Sequence, residues 1–213
     1  MANVTSVKSK FFGPVDAVDA DGISTTASIS GASALTINGT LTASGSYTSG
    51  DNIGQIITIT SAGDDSGITF TVVGTNAVGD ALTEVVTGAD TTVASSSGYF
   101  NTVSSITTSA STAAAVTAGV LGSSDAGEMG TGTVFAGRTR IRGLQGLSAA
   151  TAGNLLFKNT SVTGTTLLTV ATSTSTTDLI EPYIPDNGIL FDAGAYVSFG
   201  AGLAAGVTVF YDG

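Results

Sequence analysis

Short runs in which apolar residues alternate with Ser or Thr, broken by glycine, dominate the chain. In Ile68-Thr69-Phe70-Thr71-Val72 the apolar side chains alternate with threonine, which gives a strand one face for a core and one for water. The same β-type texture recurs at 35–37, 40–42, 55–60, 82–87, 99–107 and 115–120. Asn38-Gly39, between the first two runs, is the dipeptide favoured in a type I′ hairpin turn because both positions accept positive φ. No segment carries a sustained 3.6-residue apolar period. These runs predict a first β domain over residues 21–120.

A second set of strands is predicted at 155–158, 165–171, 179–183, 189–191, 196–199 and 207–211, forming a β domain over residues 154–213. Pro182, Pro185 and the Asp186-Asn187-Gly188 turn fall between these strands, where a missing backbone donor costs little. Residues 121–153 read as a glycine-rich linker followed by a basic segment, and residues 1–20 as an N-terminal arm. The fold class predicted is all-β, with two small β-sandwich or jelly-roll-like domains and an extended N-terminal arm. Ser/Thr tracts such as 172–177 are short and read as loops.

Composition narrows the chemistry. The 213 residues include no His, no Cys and no Trp, and the formal net charge is −10. Without His and Cys there is no Ser-His-Asp triad, no Cys nucleophile, no imidazole base and no ordinary zinc or haem site. With 10% charged residues and 42% apolar ones, the chain has the makings of a core and not the composition of a disordered segment. Its acidity argues against nucleic acid, whose binding rests on neutralising phosphates with Lys and Arg. The uncharged stretch from 193 to 211 approaches membrane-span length, but Gly194, Gly200, Gly202 and Gly206 interrupt it and its runs read as strands. The start of the chain has lysines without a following apolar run, so no secretory signal is expected.

Several motifs invite a functional reading. Gly132-Thr133-Val134-Phe135-Ala136-Gly137-Arg138-Thr139 lies one residue from a phosphate-binding loop, yet Arg138 stands where the loop needs Lys, and Gly143 and Gly146 interrupt the helix that should follow. Asp16, Asp19, Asp21 and Gly22 resemble the start of a calcium loop, but alignment on Gly22 puts Ala17 and Ser28 at its two anchoring positions. Asp64-Asp65, at a hairpin end, reads as a weak cation site or, more simply, as a solvated acidic turn. Glu84, Glu128 and Glu181 are the only glutamates available for paired-carboxylate chemistry. The expectation is a protein without catalytic residues, metal or cofactor.

Two segments are the candidate partner contacts. Arg138, Arg140 and Arg142 sit at period two, so in a strand all three project from one face, suited to bidentate pairing with carboxylates. The competing reading is internal pairing with Asp125 and Glu128, or simple solvation. Lys8, Lys10, Phe11 and Phe12, ahead of Pro14, read either as an arm whose aromatics anchor in a neighbour or as a first strand of their own domain.

Two long stretches share one Thr/Gly-rich β texture. One runs from Gly67-Ile68-Thr69-Phe70-Thr71-Val72-Val73-Gly74 through Ala81-Leu82-Thr83-Glu84-Val85-Val86-Thr87-Gly88 to Tyr99-Phe100. The other runs from Asn154-Leu155-Leu156-Phe157-Lys158 through Gly164-Thr165-Thr166-Leu167-Leu168-Thr169 to Gly188-Ile189-Leu190-Phe191 and Val207-Thr208-Val209-Phe210-Tyr211. Both stretches resemble virion structural proteins of tailed bacteriophages, and the resemblance implies a non-enzymatic particle component made in the host cytoplasm. Its first expectation is a capsid decoration or cement protein on the outer surface, bridging neighbouring major capsid subunits as a homo-oligomer, a trimer favoured, with no nucleic acid or membrane partner. The alternatives are a tail-associated adaptor, collar, tube or fibre module, or a receptor- or glycan-binding β-sandwich.

Overall fold

The computed structural model describes residues 7–121, 130–150, 152–200 and 203–213. Among these residues the chain is all-β and contains no helix. It divides into two compact units. One is Asp16–Ser123; the other combines Met1–Val15 with Ser124–Gly213.

The strands in chain order are β1 (Lys8–Phe12), β2 (Asp19–Ala27), β3 (Thr42–Ala43), β4 (Ser46–Thr48), β5 (Gly54–Ser61), β6 (Thr69–Thr75), β7 (Ala81–Thr87), β8 (Val93–Phe100) and β9 (Thr102–Thr108). They continue as β10 (Val116–Val120), β11 (Gly130–Phe135), β12 (Thr139–Ser148), β13 (Asn154–Asn159), β14 (Thr166–Ala171), β15 (Leu179–Ile180), β16 (Ile189–Phe191), β17 (Ala195–Phe199) and β18 (Leu203–Asp212).

In the unit Asp16–Ser123, β5 pairs antiparallel with β8 and β10, and β10 pairs with β2. A second antiparallel sheet runs β3-β4-β9-β6-β7. The alternation in β6 works as the sequence predicts: Phe70 and Val72 are fully buried, and Thr69 and Thr71 face the other way. Ile23, Tyr47, Ile57, Ile59, Phe100, Val103, Ile106 and Val116 join them in one core drawn from both sheets, the arrangement of a sandwich.

Two local expectations change here. Residues 99–107 form two strands, because Asn101 turns the chain from β8 in one sheet to β9 in the other. Its side-chain amide donates to the carbonyls of Gly50 and Ile53, at 3.3 and 2.7 Å. Asn38-Gly39 makes no I′ turn. The backbone amides of both residues donate to the Ile23 carbonyl, and a Cβ at position 39 would lie 2.2–2.4 Å from the backbone of residues 21–22, so glycine is required for close approach. The two-residue hairpin turn is instead Ser44-Gly45, with φ of 53° and 78°, between β3 and β4.

In the other unit, β1-β18-β12 form the body of a five-stranded antiparallel sheet. β16 pairs with the start of β12 and β15 with its end. The facing layer runs β14-β13-β17-β11. Phe12, Ile141, Leu144, Phe157, Phe191, Val197, Phe199, Val207 and Val209 supply buried core side chains from both layers.

Residues 7–12 are therefore not a free arm in this unit. β1 pairs over its whole length with β18, from Lys8 opposite Tyr211 to Phe12 opposite Val207. The segment expected to be linker and basic junction, 121–153, holds β11 and the long β12. Its inward Thr139, Ile141 and Leu144 are buried, and this periodic apolar face makes it sheet rather than linker.

A guanidinium-bearing sheet face as the candidate interaction surface

β12 alternates as its sequence dictates. Thr139 and Ile141 point into the core, while Arg140 and Arg142 project from the opposite face, joined by Arg138 from the turn just before the strand, which lines the same groove as Arg140. Between Ile141 and Gly143 the register with β18 shifts by one residue, leaving Arg142 as the extra residue of a bulge. The bulge re-phases the strand, so that Leu144 and Ser148 are buried and Leu147 is exposed. The outer face of β12 thus changes from cationic at its start to apolar at its end, where Leu147 stands opposite the exposed Leu179 of β15.

The arginines are weakly engaged. Arg138 Nε lies 3.7 Å from Asp192 Oδ1, with both side chains about seventy per cent exposed, and exposed pairs contribute little. Arg140 donates from a terminal guanidinium nitrogen to the Asn187 carbonyl at 3.0 Å. Arg142 Nε lies 3.6 Å from Asp212 Oδ2. The other carboxylate oxygen of Asp212 is buried without a hydrogen-bond partner. An open groove of about 250 Å3 lies along this row, lined by Arg138, Thr139, Arg140, Leu190, Asp212 and Gly213. Internal pairing is thus to Asp192 and Asp212; Asp125 and Glu128 lie outside the described residues.

The lysines and phenylalanines of β1 divide between two faces. Lys8, Lys10 and Phe12 share the inward side of the strand. Phe12 is fully buried against Phe199, Lys10 Nζ donates to the Thr133 carbonyl at 2.7 Å, and Lys8 Nζ donates to the Gly213 carbonyl at 2.6 Å. The ammonium groups lie 5.8 Å from the Phe135 ring centroid (Lys8) and 5.6 Å from that of Phe12 (Lys10). Burial lowers the Lys10 pKa. Phe11 is on the other side of the strand, 42% exposed. Of the seven candidate contact residues, Phe11 and the three arginines stand on the outer face of the sheet. Phe12 and the half-buried Lys10 support the unit from within, and the exposed Lys8 bonds at its edge to the Gly213 carbonyl.

The remaining candidate motifs dissolve into structural roles. Residues 132–139 run from β11 through a turn into β12, so no helix follows to cradle phosphate. The calcium-loop aspartates diverge: Asp16 takes a hydrogen bond from Tyr47 and Asp19 one from Thr40, at 2.8 and 2.7 Å. Among the described residues no group of three or more His, Cys, Asp or Glu side chains is placed to hold a metal. Asp64 is exposed and accepts from Ser66, and Asp65 is buried and accepts from the Ala113 amide. Glu84 on β7 accepts the backbone N–H groups of Ser97 and Gly98 on β8, at 2.6 and 2.8 Å. Glu181 is exposed beside β15, lining an open groove of about 280 Å3 together with Asp178. Glu128 lies outside the described residues.

Sequence reading missed a buried polar knot. Gln55 Oε1 accepts from the Asp16 backbone amide and the Ser49 hydroxyl, the Tyr47 phenol shares its one proton between Gln55 Oε1 and the Asp16 carboxylate, and Gln55 Nε2 donates to the Asp16 carbonyl. Burial raises the Asp16 carboxyl and, together with the adjacent carboxylate, raises the Tyr47 phenol. A polar Gln inside an otherwise apolar strand, Gly54-Gln55-Ile56-Ile57, was the available signal.

Charge is partitioned between the units. Asp16–Ser123 holds nine carboxylates and no Lys or Arg, a formal −9. The other unit holds all six cations and seven carboxylates, a formal −1. No protein-family model matches the chain, and no curated protein and no solved structure is significantly similar to it.

Proposed function

We propose that the protein is a non-enzymatic structural component of a tailed-bacteriophage particle, serving as a capsid decoration or cement protein on the outer surface. In this reading it is a homo-oligomer, a trimer favoured, that bridges neighbouring major capsid subunits. The observation that carries it is the charge partition. A unit with nine carboxylates and no cation is repelled by packaged DNA, which favours an outward position over a lumenal one. The sheet face with its arginine row and exposed Leu147 and Leu179 supports a role in protein contact: guanidinium beside apolar area is the composition of interface cores. The Thr/Gly-rich resemblance to virion proteins points the same way.

The test is reconstitution. Particles assembled without the protein should bind the purified chain saturably, at a fixed simple fraction of the capsid subunits, and rupture at a higher temperature once it is bound. Absence of saturable binding contradicts the proposal.

A receptor- or glycan-binding role is the second reading, favoured by one surface. On the outer side of the sheet containing β6, β7 and β9, Thr69 stands opposite Thr87 and Thr71 opposite Thr107, with Thr83 alongside, and no charge intervenes in these pairs. A glycan array separates the two readings.

A further inference from the structure

We infer that the arginine-bearing outer face of β12 is the docking site for the cation-free unit of a second copy of the same chain, in a head-to-tail contact. This deepens the proposed function and rests on it only for the expectation of an oligomer. Three guanidinium groups project from one sheet face, and the side-chain carboxylates pairing with them are Asp192, itself exposed, and Asp212. The row therefore keeps unused bidentate donors beside an open groove and ends in the exposed Leu147–Leu179 pair.

The complement is present in every copy. Within Asp16–Ser123, Asp21, Asp51, Asp64, Asp80 and Asp90 are exposed, and the unit contains no Lys or Arg to neutralise them. Asp64 and Asp90 stand opposite each other in an isolated antiparallel bridge, so two of these exposed aspartates are neighbours. Two different surfaces joined in this way make a heterologous contact, which closes into a ring when the rotation between copies permits, and a trimer is such a ring.

The experiment is sedimentation velocity on the full chain at low salt and at about 1 M salt, where the Debye length falls to about 3 Å. Two variants accompany the wild type: Arg138→Gln with Arg140→Gln, and a second with Asp21, Asp51, Asp64, Asp80 and Asp90 all replaced by Asn. Arg142 is left in place because it pairs with Asp212. Circular dichroism melting confirms that each variant folds. The wild type should self-associate at low salt and weaken at least about tenfold at high salt, and each variant alone should be monomeric. Mixing the two variants should restore a heterodimer, since one supplies the face and the other the carboxylates. A monomeric wild type at low salt, an arginine variant that still assembles, or no recovery on mixing would overturn the inference. Saturable binding of a monomeric wild type to particles would leave the decoration reading standing and sink only this contact.

Discussion

Phe12 of β1 lies against Phe199 of β17, with ring centroids 5.7 Å apart and ring planes inclined by 49°, and both side chains are fully buried. This contact ties the first described strand of the chain into a unit built mostly from its last ninety residues. Phe12→Ala should therefore destabilise that unit by about 3–5 kcal/mol, as large-to-small changes at buried aromatics do. Phe11→Ala, at a position 42% exposed, should cost far less. Denaturant unfolding of the two variants checks the contrast; equal effects would mean that β1 does not dock as described.

Glu84 predicts a second stability effect, in the other unit. Its carboxylate accepts two backbone amides on β8, Ser97 at 2.6 Å and Gly98 at 2.8 Å, linking strands of different sheets. Glu84→Ala should cost about 2–3 kcal/mol, the scale for hydrogen bonds to a charged group. It should also speed hydrogen exchange at these two amides. Unchanged exchange at Ser97 and Gly98 would show that the clamp is not formed.

The buried knot around Gln55 gives a pH dependence with a definite sign. Burial holds the Asp16 carboxyl above its ordinary range, and the Tyr47 hydrogen bond only partly offsets this. A carboxyl whose pKa is higher folded than unfolded binds more protons in the folded state. Its contribution favours folding most in acid and declines as pH rises from about 4 through the raised value. Asp19 and Asp64 act oppositely. Hydrogen bonds from Thr40 and from Ser66 lower their pKa values, so their contributions are lost as pH falls through the lowered range. Asp16→Asn removes only the first term. The stability difference, wild type minus variant, should fall as pH rises above about 4 and then level off; a difference that grows with pH contradicts the assignment.

Trypsin separates a flexible basic junction from a strand. Every Lys and Arg outside β1 and β13 lies at Arg138, Arg140 or Arg142, at the start of β12 or within it. Arg140 is paired on both sides, with β18 and β16, and Arg142 sits in the bulge that follows within the same sheet strand, so the native protein should resist cleavage there. Rapid appearance of two stable fragments would show that β12 is not part of the sheet.

Much of this architecture was legible because alternation survives wherever a strand has one apolar face. β6, β13, β16, β17 and the outward arginine row of β12 all follow from period two. The failures have physical causes. In β1 the inward positions are Lys8, Lys10 and Phe12, and the lysines satisfy their ammonium groups on backbone carbonyls, so the strand carries no apolar signature. β2 begins Asp-Ala-Asp-Gly, and β8 is built around Ser95, Ser96 and Ser97. In β8 the hydroxyl of Ser96 is buried and accepts the Ile57 amide, so the sequence looks like loop. The glycines of β11 suggested a linker, yet Gly130 and Gly132 are buried within it. The joining of β1 to β18 is a long-range contact, which local pattern does not report.

The proposal that this chain follows the capsid lattice is tested most directly by its copy number in purified particles. Quantitative mass spectrometry should give a ratio to the major capsid protein near one or at a fixed simple fraction of it. A handful of copies per particle would move the protein to the tail, and its absence from particles would contradict the virion reading altogether.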